Sequence, residues 1–217
     1  MFRSEMLSVV NKYVANATSR LGRQRYAQES AYVDAFLGRL DGIIDLGDGN
    51  GTIDLRATVV ADRGQGAAEH KFGADFALVF DGIKEPIKIN KAILGQAKGG
   101  CLEQLVRSEK LRLIEQCEKM AAATQHYLVL EAPSDNGAIP TVRIGTYKDQ
   151  RWAEERIPFD EYLVDYVISC NHGDRRDQFI RAVGDSKLLT LQIVAEDVSL
   201  EPDPPSQKRF PKNKPSR

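Results

Sequence analysis

The 217-residue chain has few of the features that mark membrane, secreted or zinc-binding proteins. No apolar run approaches the roughly 18 residues that a bilayer-spanning helix needs. Residues 1–5 do not open an apolar signal-peptide segment. The three cysteines, at positions 101, 117 and 170, form neither a CxxC pair nor a zinc-like spacing with histidine. We therefore expect a reduced, cytoplasmic protein without a membrane partner.

A strong charge of either sign is also missing. The 30 Lys and Arg residues nearly balance the 31 Asp and Glu residues, and the formal net charge is −1. A nucleic-acid enzyme of this composition must therefore concentrate its basic residues on one face. The end of the chain differs, because residues 201–217 combine proline with Lys and Arg. We predict one domain over residues 1–200 and a disordered basic, Pro-rich tail over 201–217.

The order of periodic segments predicts an α/β fold, with helices packed on a mixed sheet. Helices are predicted where apolar residues recur every three or four positions, at 5–21, 25–40, 102–123, 159–169 and 177–183. Strands are predicted for short alternating or continuous apolar runs, at 52–61, 72–80, 87–98, 127–131, 140–147 and 188–195. The Gly-rich segment 48–51 and the dipeptide Asp81-Gly82 are typical of turns.

Polar residues interrupt two of the predicted strands. Asp75 lies within an apolar run, where an unpaired carboxylate costs several kcal/mol. Gln96 and Lys98 flank Ala97, so on a strand they point to the same face. An acid, an amide and an amine on adjacent strands suit a divalent cation held beside a water molecule. The alternative is a buried ion pair between Asp75 and Lys98, with Gln96 capping a strand end.

These residues and the order of elements resemble the PD-(D/E)XK nuclease superfamily. The resemblance covers about residues 25–131 and implies a restriction-endonuclease-like αβββαβ core. The sequences Gly-Ala-Asp-Phe around Asp75 and Gln-Ala-Lys at 96–98 are most similar to the Gln-X-Lys branch. That branch includes Mrr-like restriction endonucleases and several phage-defence nucleases. The helical and strand segments after residue 131 are then expected to be a C-terminal extension of the core.

The resemblance implies a metal-dependent DNA endonuclease, with Mg²⁺ as cofactor and Mn²⁺ as a substitute. Asp75 would be the main anionic ligand, and the Gln96 side-chain oxygen and the Ala97 carbonyl would complete the protein's ligands. Lys98 would orient or deprotonate the attacking water, or stabilise developing charge. A magnesium ion neutralises phosphate oxygens while keeping several waters. An amine beside a metal can have its pKa lowered, which suits a base at neutral pH.

One departure leaves the implied site short of negative charge. The commoner pattern has Glu where this chain has Gln96, and a neutral amide is a weaker ligand for a hard cation. Glu29, on the helix before the sheet, is the favoured replacement, and Glu69, six residues before Asp75, is the second candidate. Contacts to DNA phosphates are expected from basic residues near the site, namely Arg63, His70 and Lys71.

Cutting both strands of a duplex requires two sites, so we expect a homodimer or larger assembly. The alternative function is a catalytically inactive PD-(D/E)XK-like module that binds nucleic acid or a protein. A third hypothesis is a metal-free structural or interaction protein. The segment 170–174 also places His172 two residues from Asp174, beside Cys170. A catalytic triad would need a positioned nucleophile, and nothing in the sequence places Cys170 in that role.

Overall fold

A computed structural model describes residues 1–26, 28–58, 71–84, 86–146 and 151–199. The predicted tail, residues 201–217, lies outside these residues, as do the last three positions of the strand predicted at 52–61. Within them the fold is α/β, a nine-stranded mixed sheet flanked by helices. None of the helices in this part of the chain is long and apolar enough to cross a membrane.

The predicted helices all form, with small shifts of their ends. They are α1 (Arg3–Thr18), α2 (Glu29–Leu40), α3 (Arg107–Ala123), α4 (Phe159–Tyr162) and α5 (Asp177–Gly184). A π-helical segment, Leu163–Ile168, continues α4. Short 3-10 turns precede α2 and α3, at Arg23–Arg25 and Leu102–Gln104. Apolar residues at three- and four-residue steps face the core, as Met6, Val10 and Val14 do in α1.

The strands follow one another as β1 (Gly42–Asp45), β2 (Thr52–Thr58), β3 (Phe76–Lys84), β4 (Ile87–Gly99), β5 (Tyr127–Ala132), β6 (Thr141–Thr146), β7 (Arg151–Trp152), β8 (Ile157–Pro158) and β9 (Leu189–Glu196). Their order across the sheet is β1-β2-β9-β3-β4-β5-β6-β7, with β8 also pairing with β6. The pairs β3–β9 and β4–β5 are parallel, and the others are antiparallel.

The prediction of a turn at Asp81-Gly82 is wrong. Both residues lie inside β3, where they pair with Asn90 and Ile89 of β4. Two contacts favour the extended backbone there. Gln192 of β9 donates a hydrogen bond to Asp81 Oδ2 at 2.8 Å. A Cβ at Gly82 would lie 2.9 Å from the Phe80 ring, so glycine lets that ring cover the strand. The hairpin closes beyond Lys84 instead.

The last strand is not an extension added to the core. β9 lies between β2 and β3, with Leu189 paired to Phe76, and its Leu191 and Ile193 are completely buried. The segments β2 and β3 are therefore separated by a strand that follows them by more than a hundred residues. The prediction also missed β1, which forms a hairpin with β2 across the correctly predicted turn at 48–51.

Two apolar layers enclose the sheet. The first contains α1, α2, α4 and the π-helical segment, and it packs on the face that carries Ala97, Leu128 and Leu130. The second contains α3 and α5, and it packs on the face that carries Leu94 and Val129. Because side chains alternate along a strand, Gln96 and Lys98 share the second face with Leu94. At one end of the sheet, β3 and β9 begin and β4 and β5 finish. We call this end of the sheet the site edge.

Candidate functional site

Asp75, Gln96 and Ala97 meet at the site edge. Asp75 directly precedes β3, and its backbone N–H donates to the Gly95 carbonyl at 2.8 Å. Its Oδ2 accepts hydrogen bonds from Gln96 Nε2 at 2.5 Å and from the Ala97 N–H at 2.9 Å. Gln96 Nε2 also lies 3.4 Å from the Ala97 carbonyl oxygen. One amide nitrogen therefore lies between a carboxylate oxygen and a backbone carbonyl oxygen.

The other end of that amide is unsatisfied. Gln96 is only 2% exposed, and its Oε1 has no hydrogen-bond partner among the described residues. A buried acceptor left without a donor costs about 1–3 kcal/mol. Rotating the amide by half a turn would aim Oε1 at the two oxygens that Nε2 now contacts, which is repulsive unless a cation lies between them. Carboxylate, amide and carbonyl oxygens are ligands of Mg²⁺ and Ca²⁺. The donor set therefore fits a hard divalent cation.

Lys98 and Glu29 form an ion pair beside this group. Lys98 Nζ lies 3.2 Å from Glu29 Oε2, and the Gly99 N–H donates to Glu29 Oε1 at 2.9 Å. The Lys98 side chain is 8% exposed and that of Glu29 is 32% exposed. Glu29 begins α2, so its carboxylate reaches the site edge from the first helical layer.

These contacts concern the alternative ion pair between Asp75 and Lys98 and the position expected for Glu29. Among the described residues Lys98 pairs with Glu29, and the alternative ion pair with Asp75 is not formed. The described hydrogen bonds of Glu29 go to Lys98 and Gly99, so it contacts the amine rather than the Asp75–Gln96 group. The remaining candidates, Glu69, Arg63 and His70, lie outside the described residues. Lys71 is exposed, with Nζ 5.0 Å from the centre of the Phe72 ring.

A second polar network, centred on Glu131, adjoins Lys98. Glu131 is the Cα partner of Lys98 on the neighbouring strand β5, and it is 2% exposed. Its carboxylate accepts hydrogen bonds from four donors at 2.8 to 3.1 Å, which are the Leu102 N–H, Thr141, Arg143 and Arg156. Burial alone would raise the pKa of Glu131, but these hydrogen bonds outweigh it and hold the pKa below its usual value.

The Glu131 network contains a Cys and two Glu residues close enough to share a metal ion. The three residues are Cys101, Glu103 and Glu131, and their ligand atoms lie within 4.8 Å of one another. Arg143, which is 2% exposed, ion-pairs with both carboxylates, and Arg156 ion-pairs with Glu131. Two guanidinium groups thus already balance two carboxylates, so we interpret this cluster as a structural network. No sequence pattern singles it out, because each residue is ordinary in its own segment.

The histidines at the opposite end of the sheet do not form a triad. His172 Nδ1 lies 2.6 Å from the Tyr162 hydroxyl, and Asp174 is bound instead by Thr124 and Arg176. Cys170 Sγ contacts the Ile168 carbonyl. The rings of His126 and His172 are 5.0 Å apart although 46 positions separate them in the sequence. Burial, followed by the nearby His126 and Lys91 charges, lowers the pKa of His172 to about 3.

A buried lysine stabilises the same region. Lys91 is completely buried, and its Nζ donates to the carbonyls of Tyr166, Val167 and His172. Two of these carbonyls belong to the π-helical segment after α4, where a cation is favourable. Burial lowers the pKa of Lys91 to about 8. Its three carbonyl partners compensate for burying an ammonium in an apolar layer, and we assign it a structural role.

Comparison of the chain with protein-family models, with curated proteins and with solved structures gives no match. The functional argument therefore depends on the geometry of the site edge and on the sequence motif.

Proposed function

We propose that this protein is a metal-dependent DNA endonuclease with a restriction-endonuclease-like core. The observation that carries the proposal is the convergence of Asp75, Gln96 and the Ala97 carbonyl, with Lys98 two residues along the same strand face. The unsatisfied Gln96 Oε1 supports a cation there, because this buried oxygen accepts no hydrogen bond from the described residues. The resemblance of residues 25–131 to the Gln-X-Lys branch supports the same chemistry.

Each residue has a separate part in the proposed hydrolysis. A bound Mg²⁺ would neutralise the phosphate oxygens and lower the pKa of a coordinated water. Asp75, the Gln96 side-chain oxygen and the Ala97 carbonyl would hold the ion. Lys98 would orient the attacking water or stabilise the charge that develops on the phosphate. Glu29 would be a positioning residue, since its carboxylate fixes the Lys98 ammonium at 3.2 Å.

The proposal is tested with linear and supercoiled plasmid DNA in the presence of Mg²⁺ or Mn²⁺. We expect the wild type to cleave both, and Asp75→Asn and Lys98→Ala each to lower the rate roughly 100-fold or more, as loss of an electrostatic group at a reacting centre does. Asp81→Asn is the matched control, because it neutralises a carboxylate six residues further along the same segment of chain, inside β3. Absence of cleavage by the wild type with either metal, or cleavage that survives both site substitutions, would refute the proposal.

A catalytically inactive module that binds nucleic acid or protein is the second candidate. The observation that favours it is that the site's own groups contact one another, Asp75 with Gln96 and Lys98 with Glu29. The two candidates differ in their response to Mn²⁺. The enzyme predicts that Mn²⁺ raises the unfolding temperature of the wild type but not of Asp75→Asn. The inactive module predicts no shift in either protein.

A further inference from the structure

Three cations border an open cleft between α5 and the segment that leads into Asp75. The cleft has a volume of about 560 Å³. Among the described residues that line it, Lys71, Arg181 and Lys187 are basic and Asp185 is acidic. All three cationic side chains are exposed. Among the described residues none of the three forms an ion pair with a carboxylate. We call this surface the α5 cleft.

The sheet register places the α5 cleft next to the candidate site. Phe76 of β3 pairs in parallel with Leu189 of β9. The residues just before these strands, Asp75 and Leu188, therefore lie on neighbouring segments roughly 5 Å apart, the usual spacing of paired strands. Lys187 is the next residue back, and Lys71 is four residues before Asp75. Lys187 and Lys71 thus lie near the site edge, and Arg181 lines the same cleft.

The cleft and the site also share one face of the sheet. Phe179 and Val183 of α5 pack in the same apolar layer as Leu94 of β4, and Leu94 points to the same side as Gln96 and Lys98. A polyanion lying across Asp75 and Lys98 would reach the α5 cleft without crossing the sheet. Each strand of a DNA duplex places a phosphate about every 3.4 Å along the helix axis. Its next few phosphates would therefore meet these cations.

We propose that the α5 cleft binds the phosphodiester backbone of duplex DNA on one side of the bond to be cut, with Arg181 and Lys187 as the contacting residues and Asp185 opposing them. This inference rests on the proposed function, because it assigns the cleft to the substrate of that site. The α5 cleft also agrees with the expectation that a nearly neutral DNA-binding protein groups basic residues on one face.

Binding is measured by fluorescence anisotropy with a labelled 20-base-pair duplex, in EDTA so that the DNA stays intact. Each phosphate contact adds about 0.9 to the slope of log affinity against log salt, which is roughly eightfold in affinity at 0.1 M salt. We expect Arg181→Gln with Lys187→Gln to lower that slope by about 1.8 and to weaken binding roughly 60-fold. Asp185→Asn should strengthen binding. Lys88→Gln is the control. It removes an exposed cation at the far end of β4, about 27 Å along the strand from Gln96, and it should leave DNA affinity and the salt slope unchanged.

The outcomes separate this inference from the proposed function. If the wild type binds and cleaves DNA but the double variant binds equally well, the α5 cleft is wrong and the proposed function stands. If binding depends on Arg181 and Lys187 but no metal supports cleavage, the cleft stands and the endonuclease does not. Absence of DNA binding by the wild type, or tighter binding of an RNA duplex, overturns the assignment of the cleft to DNA. Unchanged urea unfolding midpoints confirm that the exposed substitutions leave the fold intact.

Discussion

The Lys98–Glu29 ion pair leads to an asymmetric stability prediction. The Lys98 side chain is 8% exposed, whereas that of Glu29 is 32% exposed and also accepts a hydrogen bond from the Gly99 N–H. Removing the carboxylate leaves a buried ammonium without its counter-charge. Removing the ammonium leaves a carboxylate that water and Gly99 still solvate. We therefore expect Glu29→Gln to cost more stability than Lys98→Met, although both substitutions break the same contact.

The magnitudes follow from the burial of the two groups. Loss of one partner from a fully buried pair costs about 3–5 kcal/mol, whereas exposed pairs contribute about 0.2–1 kcal/mol. With Glu29 one-third exposed, we expect about 2 kcal/mol for Glu29→Gln, of which about 0.5 kcal/mol comes from the lost charge at the first turn of α2. For Lys98→Met we expect at most about 0.5 kcal/mol, since methionine fills the apolar path of the lysine stem.

The assay is equilibrium urea unfolding at pH 7 of the two single variants and the double variant, without divalent cations. In the Lys98→Met background, Glu29→Gln should cost only its helix-terminal contribution, which gives a coupling of about 1.5 kcal/mol. Raising the salt concentration should change this coupling little, because the ammonium is buried. Additive effects of the two substitutions, or a larger cost for Lys98→Met than for Glu29→Gln, would refute the reasoning.

Two further predictions concern pH and metal. The folded-state pKa of His172 is about 3, against an ordinary value of 6.5, so between these values the unfolded chain binds a proton that the folded protein does not, and stability falls as the pH drops. From pH 7 to pH 5 we expect His172 to lower the free energy of unfolding by about 2 kcal/mol. The variant His172→Gln, which keeps an acceptor for Tyr162, should lose correspondingly less stability in urea unfolding over the same pH range. An equal loss in both proteins would contradict the prediction. Gln96→Glu places a second carboxylate beside Asp75, so it should destabilise the protein in EDTA and regain stability in Mg²⁺. Gln192→Glu creates a similar acid pair with Asp81 away from the site, and an equal Mg²⁺ response in the two variants would refute a specific cation site at Gln96.

The sequence predicted elements whose patterns are local and missed contacts made by distant segments. The apolar periodicity of α3 and the continuous apolar run of β5 depend only on which face is buried, so both were predicted correctly. The Asp81-Gly82 dipeptide is typical of a turn, but Gln192 comes from more than a hundred residues away to hold Asp81 in a strand. The central position of β9 has the same origin, because strand order is a property of long-range pairing.

The candidate site shows the same division. The alternation of Gln96, Ala97 and Lys98 predicted that the amide and the amine share a face, which the register of β4 with β5 confirms. The pairing of Glu29 with Lys98 joins a helix start to a strand end across the edge of the sheet, and no periodicity encodes that distance. Likewise, neither Glu131 nor Arg143 stands out within its own strand. The antiparallel pairing of β5 with β6 brings the two side chains together.

The proposed nuclease site predicts that metal and DNA bind together, because of the charges at the site edge. Glu131 is neutralised by Arg143 and Arg156, and Glu29 is neutralised by Lys98. Asp75 accepts hydrogen bonds from the neutral Gln96 amide and the Ala97 N–H, and it is the carboxylate of the proposed metal site. A divalent cation held by one carboxylate and two neutral oxygens keeps an excess of positive charge, and a DNA phosphate at the site would supply the missing anion. We therefore expect Mg²⁺ to tighten DNA binding and DNA to tighten Mg²⁺ binding by the same factor, as linkage requires.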